Sequence, residues 1–319
     1  MMKNYLPPDK SHWHGRESDQ QLYLHEKVEC ASLDRVSLDP EKKRIGLLGY
    51  ACDEGVRRNQ GRIGAFKGPD AIRQQLGKMP NHLDWSTALV DFGNLSCPNQ
   101  DMELIQEQVI ESVHQLWQAQ VFSILLGGGH DLAYAHFTGL AKSQAPHKKI
   151  GIINFDAHLD MRPVVKQNHS GTPFYQIAQD LQKAGKDFRY FCIGMRKDAN
   201  DRQLLQLAEQ AGAVYLERNY FTMSYLEHVQ LRIMQFLEDV DVVYTTIDLD
   251  GFSSAYAPGV SAASPMGFSP DIVLESLKLI LESNKLIGMD VVELNPHFDR
   301  DQQTAKLAAS LIHFVLHTL

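Results

Sequence analysis

Residues 149–160 read Lys-Ile-Gly-Ile-Ile-Asn-Phe-Asp156-Ala-His158-Leu-Asp160. The first half has the apolar, β-branched character of a strand buried on both faces. Its continuation sets three potential metal ligands at every second position, where side chains share one face. Bare carboxylates in such a place repel each other and lose solvation, so the run calls for a cation. Ala157 is small and permits close approach. A lone histidine is ordinarily a hydrogen-bonded structural residue. Flanked by two aspartates at this spacing, His158 reads as a ligand.

The same grammar recurs outward from this stretch. Strands are expected at 44–50, 88–91, 121–126, 150–155, 188–193, 213–216, 242–247 and 286–291. Helical periodicity or caps place helices at 69–77, 103–119, 130–140, from 173, 201–210, 223–238, 270–283 and 301–317. Val- and Ile-rich strands alternating with helices imply an α/β fold with a mainly parallel sheet covered on both faces. There is no repeat or low-complexity linker, so residues 1–319 read as one domain, with 1–43 as a polar N-terminal extension. Residues 53–68 read as a Gly- and Arg-rich loop.

The remaining suspicious residues also follow strands. Thr246-Ile-Asp248-Leu-Asp250 puts two carboxylates on one side of an apolar strand. Gly127-Gly-Gly-His130-Asp follows another strand; it lacks the Lys-Ser/Thr ending of a phosphate loop, so its glycines read as a tight approach to a crowded centre. Glu293 ends a fourth strand. Open α/β sheets place their sites beyond the carboxyl ends of strands, so these ends are expected to converge. His130, Asp156, His158, Asp160, Asp248 and Asp250 are too many ligands for one tetrahedral zinc. They suit two divalent ions sharing carboxylates, with Mn²⁺ favoured by mixed oxygen and imidazole ligation and Fe, Co or Zn as alternatives.

Composition excludes other classes. A 44% hydrophobic content over 319 residues supports a large core, and a net charge of −8 without basic blocks beyond Lys42-Lys43-Arg44 and Arg57-Arg58 argues against nucleic acid. No membrane span or secretion signal is legible. The four cysteines, 30, 52, 97 and 192, lack paired spacing and read as reduced thiols, so a cytoplasmic protein is expected.

Three of these segments, Gly127–Asp131, Asp156–Asp160 and Asp248–Asp250, resemble the three signatures of the ureohydrolases, the arginases, agmatinases and their relatives. Gly61–Ala65, Gly68-Pro69, Ala257-Pro-Gly259 and Glu293–Pro296 resemble further family segments, and the likeness spans roughly 45–315. The resemblance implies an arginase-like three-layer α/β/α fold, two Mn²⁺ per subunit with Asp156 and Asp248 bridging, and a homo-oligomer. It assigns attack on a guanidino or amidino carbon to a hydroxide held between the ions. It gives Glu293 the substrate's amidine nitrogens, Asp160 a share in holding the nucleophile, and His169 proton transfer beside the substrate.

Three departures narrow the substrate. Arg162, where arginases typically carry Asn, offers a fork for a carboxylate; a structural ion pair is its alternative role. The continuation Pro258-Gly-Val-Ser-Ala262 looks like the formimidoylglutamases. Ala199, in Gly194–Asn200, replaces an acidic residue that arginases direct at an α-ammonium. The expected reaction is hydrolysis of a small acidic amidine, N-formimidoyl-L-glutamate, to L-glutamate and formamide in histidine degradation. An agmatinase, arginase or other guanidino-acid hydrolase, a mononuclear zinc deacetylase-like enzyme and a non-catalytic metal-binding protein are the alternatives.

Overall fold

The computed structural model describes residues 3–35 and 43–319. Lys42 of the basic run therefore lies outside the described residues. Among the described residues ten strands form one sheet: β1 Tyr5–Leu6, β2 Glu29–Cys30, β3 Lys43–Ala51, β4 Thr87–Ser96, β5 Val121–Gly127, β6 Ile150–Phe155, β7 Arg189–Met195, β8 Val214–Glu217, β9 Val242–Asp248 and β10 Leu286–Val292. The order is β1-β4-β3-β5-β10-β9-β6-β7-β8, with β2 also on β4. All pairings are parallel except β1 with β4.

Ten helices accompany them among the described residues: α1 Leu24–Lys27, α2 Glu54–Arg58, α3 Gly68–Leu76, α4 Met102–Gln118, α5 Leu132–Ser143, α6 Pro173–Lys183, α7 Arg202–Gln210, α8 Leu226–Glu238, α9 Pro270–Glu282 and α10 Gln303–Thr318. Alternation along the strands divides the core in two. Ile124, Ile153, Ile247 and Val291 face a cluster with α3, α8, α9 and α10. Leu125, Ile152, Tyr244 and Val292 face the other, with α4 to α7. The result is a three-layer α/β/α fold. Among the described residues no helix is long and apolar enough to cross a membrane.

Several elements differ from the sequence reading. β4 runs to Ser96 rather than 91. Asp91, Gly93 and Asn94 disguise it, yet Asp91 is fully buried, because Arg73 Nη2 reaches its Oδ1 at 2.8 Å and Trp13 Nε1 its Oδ2 at 2.8 Å. That second bond also ties the N-terminal segment into the fold: Trp13, Leu24, Val28 and Leu33 are buried, and β1 and β2 extend the sheet. Residues 54–58 are helical, whereas α5 and α10 start late. Asp301 and Gln302 adopt φ of 51° and 57°, which delays α10, and His130 and Asp131 precede α5 in a turn.

Candidate metal centre

Strands β5, β10, β9 and β6 are neighbours in the sheet, and their carboxyl ends carry His130, Glu293, Asp248 with Asp250, and Asp156 with His158 and Asp160. Four dispersed sequence segments therefore meet in one place. Two groups of ligand atoms form there: His130, Asp156, Asp160 and Asp248 in one, Asp156, His158 and Asp250 in the other. His130 Nδ1 lies 3.3 Å from Asp156 Oδ2, 3.0 Å from Asp160 Oδ2 and 3.0 Å from Asp248 Oδ2. His158 Nδ1 lies 3.3 Å from Asp156 Oδ1 and 3.2 Å from Asp250 Oδ1.

Asp156 thus presents one oxygen to each group. Asp248, the other carboxylate expected to bridge, gathers with the His130 group alone. Its Oδ1 accepts the Asp250 N–H at 2.8 Å, which holds the second oxygen against its own chain.

The surroundings prepare these side chains for cations. Thr246 Oγ1 sits 3.1 Å from His130 Nε2, so donation from Nε2 leaves Nδ1 free as a lone-pair ligand. His130 Nδ1 and Asp250 Oδ1 are buried without a hydrogen-bond partner. Buried polar atoms are almost always satisfied, and these two point at other ligands. Asn154 Nδ2 donates to Asp156 Oδ2 at 3.1 Å, and the His158 N–H to its Oδ1 at 2.8 Å. Burial, then repulsion from Asp250 and Asp156, drives the Asp248 carboxyl well above its ordinary range. Burial would push His130 down, but the three facing carboxylates outweigh it and hold the imidazole well up. Such a set resists its own charge until a dication supplies the balance, so the donors fit a pair of divalent ions.

Asp160 and Glu293 have φ of 45° and 69°. Glu293 Oε1 accepts the His130 N–H at 2.8 Å. Burial, then the charge of Asp250, pushes the Glu293 carboxyl up to about 8. It stands outside both ligand groups and lines a cavity of 180 Å³ with His158, Asp160, Asp248, Asp250 and Arg162. Arg162 is exposed and makes no ion pair among the described residues. Its Nη1 donates to Asn59 Oδ1 at 2.9 Å.

His169 is placed differently. Half-buried, it lines a neighbouring depression with Arg57, Arg58 and Lys166. Its Nδ1 accepts the Gly171 N–H at 3.1 Å, leaving Nε2 to carry the proton; burial, then Arg162, lowers its pKa. Ala199 does not line the metal cavity; next to it, Asn200 stitches Leu159 and Ala157 in place at 2.9 Å each.

Sequence reasoning missed Asn59, Ser170 and Thr246. Thr246 had a signal, since it precedes Asp248 by two residues on a strand and so shares its face. It also passed over a buried array of Ser123, His136 and Asp290, with His136 Nδ1 2.7 Å from Asp290 Oδ2 and Nε2 3.0 Å from Ser123 Oγ. His136 and Asp290 are fully buried and Ser123 nearly so, so this is a core polar network and not a second catalytic triad.

This fold and ligand cluster define the class, a metal-dependent ureohydrolase: residues 43–317 match the arginase family model, and the chain belongs to the arginase family. Among curated relatives it is 36% identical to a formimidoylglutamase of Clostridium tetani, over 99% of this chain and 96% of that protein. It is 43% identical to one from Chromobacterium violaceum over 84% of this chain and 85% of that protein. A formiminoglutamase variant from Trypanosoma cruzi, solved with Mn²⁺, superposes with a TM-score of 0.75 at 25% identity, covering 90% of this chain and 97% of that one.

Proposed function

We propose that this chain hydrolyses N-formimidoyl-L-glutamate to L-glutamate and formamide, a step of histidine degradation, using two Mn²⁺ ions. One observation carries the reading: Arg162, a guanidinium with no acidic partner among the described residues, stands on the rim of the carboxylate-lined cavity. The names of the curated relatives and the Mn²⁺ in the structural neighbour support it.

His130, Asp156, Asp160 and Asp248 would hold one ion, and Asp156, His158 and Asp250 the other. When bound, such a pair acidifies water and polarises the group under attack. The chain's own residues do the rest. Arg162 grips a substrate carboxylate and so fixes the distance of the formimidoyl carbon from the ligand cluster. Glu293, through the oxygen not committed to His130, accepts N–H bonds from the cationic formimidoyl group. Asp160 accepts a hydrogen bond from the attacking water and takes part in its proton transfer. His169 Nε2, in the neighbouring depression, delivers a proton to the departing glutamate nitrogen. The elements of water are consumed as oxygen and hydrogen enter formamide and the amine.

The test is release of formamide and glutamate by the Mn²⁺-loaded protein, beside urea release from arginine and agmatine. Preference for the acidic amidine is expected; preference for a guanidino substrate overturns the assignment.

A further inference from the structure

The carboxyl ends of β3 and β4 lie side by side, with Ala51 in register with Ser96. Cys52 and Cys97 are the next residue after each strand, and the Cys97 N–H donates to the Ala51 carbonyl at 3.3 Å. Neighbouring strands are about 4.8 Å apart, within the Cα range that a disulfide spans. Both side chains line one 810 Å³ cavity, along with Ile63, Phe66 and Asp70. None of the metal-site carboxylates lines it. Cys52 is 1% exposed, whereas Cys97 is partly open. The hydrolytic chemistry uses neither thiol.

We propose that Cys52 and Cys97 form a dithiol that hydroperoxides convert to a disulfide. Cys97, the more open sulfur, is the one a peroxide reaches first, and the enclosed Cys52 follows as the resolving thiol. Cys97 Sγ attacks one peroxide oxygen; the O–O bond breaks and the other oxygen takes a proton and leaves as water, or as an alcohol from an alkyl hydroperoxide. Cys52 Sγ, giving up its proton, then attacks the Cys97 sulfenic sulfur. The S–O bond breaks, the S–S bond forms, and that oxygen leaves with the proton as water. The peroxide gains two electrons and the thiol pair loses them.

The reduced full-length protein is treated with hydrogen peroxide, quenched with iodoacetamide and digested without reductant. The expected product joins the Cys52 and Cys97 peptides, is lighter by two hydrogens than their sum, and is reversed by a dithiol reductant. It forms at least about tenfold faster than Cys30 oxidises, because partial desolvation, then the charge of Asp91, raises that thiol's pKa and cuts its thiolate fraction. In Cys52→Ala, Cys97 is expected to stop at the sulfenic acid, which dimedone traps. The proposal is overturned if folded wild-type protein keeps Cys97 alkylatable while Cys30 oxidises, or links Cys97 to Cys30. It is equally overturned if the Cys52–Cys97 bond appears only after unfolding in urea.

Discussion

Asn59 orients Arg162. It accepts the guanidinium at 2.9 Å through Oδ1 and is itself fixed by donating from Nδ2 to Ser170 Oγ at 3.1 Å. A neutral partner holds the arginine in place and leaves its charge uncompensated for an anion. Truncating a buried charged partner costs about 2–5 kcal/mol, and exposed pairs are worth much less; Arg162 is exposed, and the proposed substrate would cover it in part. Arg162→Met should therefore lower kcat/KM for N-formimidoyl-L-glutamate by about 10- to 100-fold, or about 1.4–2.7 kcal/mol. Asn59→Ala should give a smaller loss, mainly in KM. Steady-state kinetics check both, and unchanged values for Arg162→Met would remove this residue from recognition.

Metal stoichiometry separates the two ligand groups. Asp156 serves both, so Asp156→Ala should lose both ions, while Asp250→Ala should keep the one held with His130. Chelation should abolish activity, Mn²⁺ should restore it, and the circular dichroism spectrum should persist throughout, since the core clusters do not include the ligands. Elemental analysis of each variant is the measurement. A single tightly bound zinc in the active wild-type protein would contradict the two-ion centre.

A histidine cluster far from the site sets a pH response. His317 Nε2 accepts the His82 N–H at 3.0 Å and its Nδ1 contacts the His313 carbonyl at 2.7 Å, which suits only a neutral ring. Burial is the main cause that lowers both His313 and His317 from the ordinary 6.5. Unfolded chains take up these protons near 6.5, and the folded protein only at lower pH. The stabilisation is thus complete above about 6.5 and is lost as pH falls through the folded values. Hydrogen exchange at the His82 amide should accelerate below that point more than intrinsic chemistry allows, and His317→Phe should reduce the pH dependence of stability to the share of His313.

The buried His136–Asp290 pair predicts a pure stability effect. His136→Ala leaves Asp290 and the Tyr244 hydroxyl that also contacts it without their imidazole, at a cost of about 3–5 kcal/mol. Urea unfolding should show the loss, with metal content unchanged in the folded fraction.

The ligands were legible because each follows an apolar strand, and a parallel sheet brings such ends to one edge. Their convergence needed only that β5, β10, β9 and β6 be adjacent. What stayed hidden depends on distant partners. Asp91 looks like a strand breaker until Arg73 and Trp13 neutralise it from 18 and 78 residues away. β1 and β2 have two residues each, too few for any period to show. Asn59 carries no chemistry of its own in sequence; it gains a role when the segment after β3 folds across to the loop bearing Arg162. His169 followed family position, and the fold sets it in a neighbouring depression rather than among the ligands.

The left-handed backbone at Asp160 and Glu293 has an evolutionary consequence. Such a conformation costs a side-chain-bearing residue about 1–2 kcal/mol, and glycine pays almost none of it. Selection for thermal endurance alone would therefore favour glycine at these two positions, where the proposed chemistry calls for carboxylates. Their retention in a working enzyme is a tax on folding levied by chemistry, and stabilised variants drawn from a library without an activity screen should be enriched in Asp160→Gly and Glu293→Gly.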